Sequence, residues 1–223
     1  MGSETTNSDK RCAEQITMSW METVSYLILV LCFSAVPWAT RRAGWVLLAA
    51  GLGTSVVAIA AGIVAEARLY PLTDLLVAAL AVCGGVLLGR LVPARFWPLA
   101  ALMAVLAALD SVQVLAASAA DRPVPYYYTM FLITSPWGSS AIGFADLLVV
   151  AAIAEHYRRR GAQYWLAAAP GAIGLVSAVA LAGFVRGGIP LLPFVFAGLL
   201  LAELSGKLLG GLPEVVRDRP ATD

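Results

Sequence analysis

Long apolar runs, each nearly free of charge and separated by only a few polar residues, leave this chain little choice of fold. A bilayer core about 30 Å thick takes roughly 20 apolar residues per helix. The sequence supplies about seven such runs, at about Met21–Thr40, Ala43–Glu66, Pro71–Leu91, Phe96–Ser118, Ser139–His156, Tyr164–Val185 and Ile189–Leu209. With 60% of its residues hydrophobic and 13% charged, the chain lies far from the soluble average of roughly a quarter charged. The expected fold is all-α, a polytopic membrane protein of about seven transmembrane helices. Ala, Gly, Leu and Val dominate the runs, and small residues let helix backbones approach closely in lipid. The first run is too long for a signal-peptide core and is followed by Arg41-Arg42, so it reads as a permanent helix.

The punctuation between the runs divides the chain. Residues 1–19 form a polar tail, 20–92 hold the first three helices, 93–209 hold helices four to seven, and 210–223 form a second polar tail. The opening Met1-Gly2-Ser3-Glu4-Thr5-Thr6 fits the loose myristoylation pattern, which on a multi-span chain reads as a chance match. Residues 119–138 break the pattern with Asp121-Arg122-Pro123-Val124-Pro125-Tyr126-Tyr127-Tyr128, an apolar run to Ile133, and Thr134-Ser135-Pro136-Trp137-Gly138. Their Tyr and Trp content suits the headgroup level, and the segment reads as an interfacial loop with a short extended piece. Basic residues orient the bundle: with seven spans, ten of the 15 Lys and Arg fall on the side of the C-terminus. The expectation is an outer N-terminus and a cytoplasmic C-terminus.

Composition also removes whole classes of function. A net charge of +1 and the lack of a long basic block argue against nucleic acid. Cys32 and Cys83 sit inside apolar runs and Cys12 in the polar tail, a pattern with neither metal spacing nor a disulfide framework. No metal and no cofactor is expected.

Two carboxylates stand out because ionisable side chains at membrane depth are costly and functional by default. Asp110 lies about eight residues before the end of the fourth run and Asp146 about seven after the start of the fifth. At 1.5 Å per residue both fall about 10–12 Å from the loop that joins the two runs. Spans joined by one loop are expected neighbours, so the carboxylates would face one another across a water-accessible cavity. The connection between runs six and seven reaches the same side and delivers Gly187-Gly188-Ile189-Pro190-Leu191-Leu192-Pro193. Prolines remove backbone donors, and irregular backbone at depth is tolerated where it is buried or lines a cavity. This segment is therefore expected beside the acids. Paired carboxylates cannot both ionise, so one holds a proton while the other acts as base. Such a pair can activate water against a carbonyl and stabilise the oxyanion, which is peptide hydrolysis without metal or covalent intermediate.

In these residues the chain from about Phe96 onward resembles the presenilin and signal-peptide-peptidase family of intramembrane aspartyl proteases. The family's Tyr-Asp corresponds to Leu109-Asp110, its Gly-x-Gly-Asp to Gly143-Phe144-Ala145-Asp146, and its Pro-Ala-Leu to Pro190-Leu191-Leu192. One span intervenes between the second and third motifs, as in the family. The resemblance implies a presenilin-like helical bundle with a shortened N-terminal half, seven spans where the family has nine. It also implies Asp110 and Asp146 as the catalytic pair, with Gly143, Phe144, Ala145, Pro190, Leu191 and Leu192 against the substrate. That substrate would be a transmembrane protein or signal peptide within the lipid bilayer. Tyr128 to Ile133 resembles the family stretch that can pair with extended substrate. Three positions depart from the motifs: Leu109 replaces tyrosine, Ala145 replaces glycine and Leu191 replaces alanine. They put the level of activity and the specificity at issue.

Other readings compete. Intramembrane carboxylates also serve proton-coupled transport, and the altered motifs suit a catalytically inactive binder of membrane helices. Glu203 and Lys207 loosely resemble the Schiff-base region of microbial rhodopsins, but the sixth run lacks aromatic walls beyond Trp165, and an i, i+4 ion pair is the better account. Asp74 reads as a helix cap, His156 as an interfacial side chain, and Arg158-Arg159-Arg160 as a topology anchor.

Overall fold

The structure, a computed structural model, describes residues 23–64, 72–117, 130–135, 138–182 and 190–208. Both polar tails, Asp121–Tyr128 and Gly187–Ile189 lie outside the described residues. The chain forms helix α1 (Thr23–Ala39), α2 (Trp45–Val64), α3 (Leu72–Leu91) and α4 (Phe96–Ala117), then strands β1 (Met130–Ser135) and β2 (Gly138–Gly143). Helices α5 (Phe144–Arg159), α6 (Tyr164–Ala182) and α7 (Leu192–Leu208) complete it.

Four helices, α2, α3, α4 and α6, are long and apolar enough to cross a membrane, and α1 is a shorter apolar helix. The expectation of seven spans is thus met in helix number among the described residues but not in span length. The clearest difference is at the fifth run, expected from Ser139. There α5 has 16 residues and begins at Phe144, because Gly138–Gly143 pairs antiparallel with Met130–Ser135, Leu132 opposite Ala141 and Met130 opposite Gly143. The apolar segment before the second motif, too short to span, thus supplies the first strand of an antiparallel pair that feeds directly into α5.

Close backbone approaches organise the bundle. Gly84, Gly85 and Gly89 of α3 face α5, and a Cβ at Gly85 would fall 2.5 Å from the Leu148 carbonyl oxygen and 2.7 Å from the Ala151 Cβ. Only a residue without a side chain lets α3 lie this near α5. Gly174 of α6 meets the Val195 backbone and Gly198 of α7 meets Pro170, which brings α6 and α7 together in the same way. On the other side of α5, Val30 of α1 packs with Val150, Leu147 and Leu175. α4 runs along α7 rather than α5, contrary to the expected adjacency of spans four and five. It reaches α5 only through side chains of the main core, where Leu99, Met103 and Ala107 join Val149, Ile153 and Tyr157.

Candidate active site

Asp146 is the third residue of α5, after Phe144 and Ala145, and Gly143 is the N-cap in an extended conformation (φ −64°, ψ 142°). The first amides of a helix have no intrahelical partner, and a carboxylate at the third position can fold back onto the N-cap amide, the return half of a capping box. Asp146 does so and accepts a hydrogen bond from the Gly143 N–H. The contact leaves little room at residue 143, where a Cβ would sit 3.0 Å from Asp146 Oδ2. Asp146 therefore lies in the first turn of its helix, not about seven residues inside a span, since the run expected from Ser139 is strand as far as Gly143.

Asp110 is placed by a different device. At the start of α7, Pro190 and Pro193 have no N–H to offer, while the amides of Phe194 and Val195 both donate to the Leu191 carbonyl (3.1 Å each). The Leu192 amide finds its acceptor outside the helix and donates to Asp110 Oδ2 at 3.0 Å. The helix start between the two prolines is thus tied to the carboxylate of α4. Leu192 is buried in the main core, and Leu191 packs against both that core and the cluster around Val30 and Leu147.

The two carboxylates are close enough for the charge of Asp110 to act on Asp146. Both are partly exposed, so water can reach them. Segments from the first, second and third motifs, more than 80 residues apart at their extremes, come together at one end of α4, α5 and α7. Around them, Phe144 is half-buried and packs with Val77 and Ile59, whereas Ala145 is exposed. Leu109, where the resembling family has tyrosine, is 54% exposed and points away from the core. Pro190 is half-buried. Among the described residues no group of three or more His, Cys, Asp or Glu could hold a metal ion.

A second polar centre lies at the opposite end of α5 and α7, where the sequence suggested only a Glu203–Lys207 pair. Glu155 is fully buried and takes hydrogen bonds from Arg90 Nε (3.1 Å) and from Arg158 Nε (2.6 Å) and Nη2 (2.7 Å). Arg160 meets Glu203 through both terminal nitrogens, at 2.7 and 3.0 Å, and Tyr157 donates to the same carboxylate at 3.4 Å. Lys207 Nζ, the partner expected from spacing, stands at 3.7 Å and is mostly exposed. Arg159 donates to the carbonyls of Gly89, Arg90 and Val92, closing the end of α3, where carbonyls lack helical partners. The Arg158–Arg160 run, read from the sequence as a topology anchor, also cross-links the helices around it. His156, expected at the interface, is fully buried, because its helix is wedged between α3, α6 and α7. Asp74, read as a helix cap, lies in the first turn of α3 and is buried, 8% exposed. The arginine-rich sequence was a signal of charge; only the buried glutamates on α5 and α7 show what the charge is for.

Compared with family models, curated proteins and solved structures, the chain matches none.

Proposed function

We propose that the chain is an intramembrane aspartyl protease of the presenilin and signal-peptide-peptidase kind. In this reading its seven helices span the bilayer with the N-terminus outside and the C-terminus in the cytoplasm. Its substrates are transmembrane proteins or signal peptides. One observation carries the reading: Leu192 N–H binds Asp110 while Asp110 acts electrostatically on Asp146, so the residues corresponding to the three family motifs share one site.

The chemistry follows from two carboxylates holding one proton between them. The ionised member takes a proton from a water molecule as the water oxygen bonds to the scissile carbonyl carbon. The protonated member hydrogen-bonds the carbonyl oxygen as it becomes an oxyanion. Collapse of the tetrahedral species breaks the C–N bond, the amine leaves with a proton from the pair, and the products are a new carboxyl and a new amine. Gly143 keeps the Asp146 carboxylate against the helix end, and Leu192 fixes Asp110. Ala145, exposed beside Asp146, would lie against the substrate backbone and narrow the range of chains accepted.

A second reading, a membrane-helix binder without hydrolysis, draws on one observation: both carboxylates already serve as caps, Asp146 on α5 and Asp110 on α7. The two readings part on incubation of the purified protein in detergent with a single-span substrate. Protease activity gives two fragments with the wild type and none with Asp110→Asn or Asp146→Asn. Stoichiometric binding with intact substrate supports the binder, and cleavage that survives either substitution removes the protease.

A further inference from the structure

The end of the bundle away from the carboxylates carries a charge arrangement that proteolysis does not use. It gathers the α1–α2 turn, the end of α3, the start of α4, the end of α5, the start of α6 and the end of α7. Contacts tie these together: Arg90 binds the carbonyls of Thr40 and Ala43, Lys207 stands 5.9 Å over the Phe96 ring, and Trp38 meets Tyr164 edge-on at 5.6 Å. Two acids are described at this end, Glu155 and Glu203, both buried and taken up by Arg90, Arg158 and Arg160. The inner ring of charge is thereby paired within the fold, two carboxylates with three arginines.

An outer ring is not so fully paired. Arg41 and Arg42 are exposed in the α1–α2 turn, Arg159 is exposed and donates to carbonyls, which leave its charge intact, and Lys207, 63% exposed, shares Glu203 with Arg160 at the longer distance of 3.7 Å. Three indoles lie at the same level, each in the first turn of its helix and each turned outward: Trp45, Trp97 and Trp165, 50, 77 and 72% exposed. Exposed Trp at helix starts belongs at the membrane–water interface. The rings therefore fix the depth of the basic residues, which stand in the headgroup layer of one leaflet.

We propose that this end is a docking surface for anionic phospholipids, their phosphates held by Arg41 and Arg42 with Lys207 alongside, and their glycerol region against Trp45, Trp97 and Trp165. Charge complementarity selects the occupant. Arg41 and Arg42 have no described carboxylate beside them, a lipid phosphate is presented at the depth of the indoles, and basic side chains near an anionic leaflet attract it measurably. The surface does not depend on whether the chain hydrolyses anything.

The test uses the full chain reconstituted into phosphatidylcholine vesicles containing a minor fraction of phosphatidylglycerol. Bromine is placed on the acyl chains of one lipid or the other, and tryptophan quenching gives the relative association of the two. The wild type is expected to favour phosphatidylglycerol severalfold at about 0.1 M salt and to lose that preference towards 1 M, where the screening length falls to roughly 3 Å. Arg41→Gln with Arg42→Gln is expected to bring the preference down to about parity, with the melting temperature unchanged. Equal quenching by the two lipids in the wild type overturns the proposal. So does a preference that survives high salt, or one that survives the double substitution. Loss of the preference on adding inorganic phosphate at constant ionic strength would assign the site to a free anion and overturn the lipid.

Discussion

Adding one methyl group at Gly85 should strain the contact on which the bundle depends. A Cβ there falls 2.5 Å from the Leu148 carbonyl oxygen, 2.7 Å from the Ala151 Cβ and 3.2 Å from the Ala152 nitrogen. Two of the three neighbours are backbone, so no side-chain rotation relieves the clash. α3 must move off α5 by roughly half an ångström or more to restore ordinary contact distances, and overpacking of this kind costs about 1–3 kcal/mol. For a chain of this size each kcal/mol is worth roughly 2–4 °C, so Gly85→Ala should lower the melting temperature by several degrees. Gly53 supplies the control, since nothing lies within 4 Å of a Cβ placed there. Gly53→Ala should hold or raise the melting temperature, because alanine is the better helix former by about 1 kcal/mol. The assay is thermal unfolding of the detergent-solubilised protein, followed by circular dichroism, for the two variants side by side. Equal melting temperatures for Gly85→Ala and Gly53→Ala would refute the close approach of α3 and α5.

Further outcomes follow from the caps and from the buried ion pair. Asp110→Asn keeps an oxygen for the Leu192 amide and should melt close to the wild type, whereas Asp110→Ala strands that donor at about 1–3 kcal/mol; equal stability of the two would deny the cap. Glu203→Leu leaves Arg160, 7% exposed, without its counter-charge and should cost about 3–5 kcal/mol, much of it regained in the double variant Arg160→Met with Glu203→Leu. A double variant no more stable than Glu203→Leu alone would show that the pair acts through packing rather than charge.

Local sequence carried the helices well where composition and ends agree. α4 begins at Phe96 and α6 at Tyr164, where an aromatic pair follows a short polar turn. The start of α5 was not legible, because Ala141 and Ile142 read as membrane helix until Met130–Ser135 is placed beside them. Strand formation there depends on a partner several residues away, which no window of hydropathy contains. The order of the two carboxylates and of the Pro190 segment was legible, and so was their common end of the bundle. The neighbour of α4 was not: sequence adjacency suggested α5, but the Gly174 and Gly198 contacts draw α7 against α6 and leave α4 along its other side. The role of Leu192 was hidden for a related reason. Its amide matters because Asp110 arrives from 82 residues away. Burial of Glu155, His156 and Glu203 could not be read from polar residues near a helix end, since the same letters suit a wet interface.

The central claim is that Asp110 and Asp146 act on one water as one unit, and rate measurements on four proteins test it most directly. Cleavage of a single-span substrate, followed by mass spectrometry of both fragments, is compared for the wild type, Asp110→Asn, Asp146→Asn and the double variant. Residues that act as a unit are strongly non-additive. The expected result is that each single substitution abolishes cleavage as completely as the two together, with all variants still folded. Separate partial losses that multiply in the double variant would contradict it, and would make the carboxylates two independent caps.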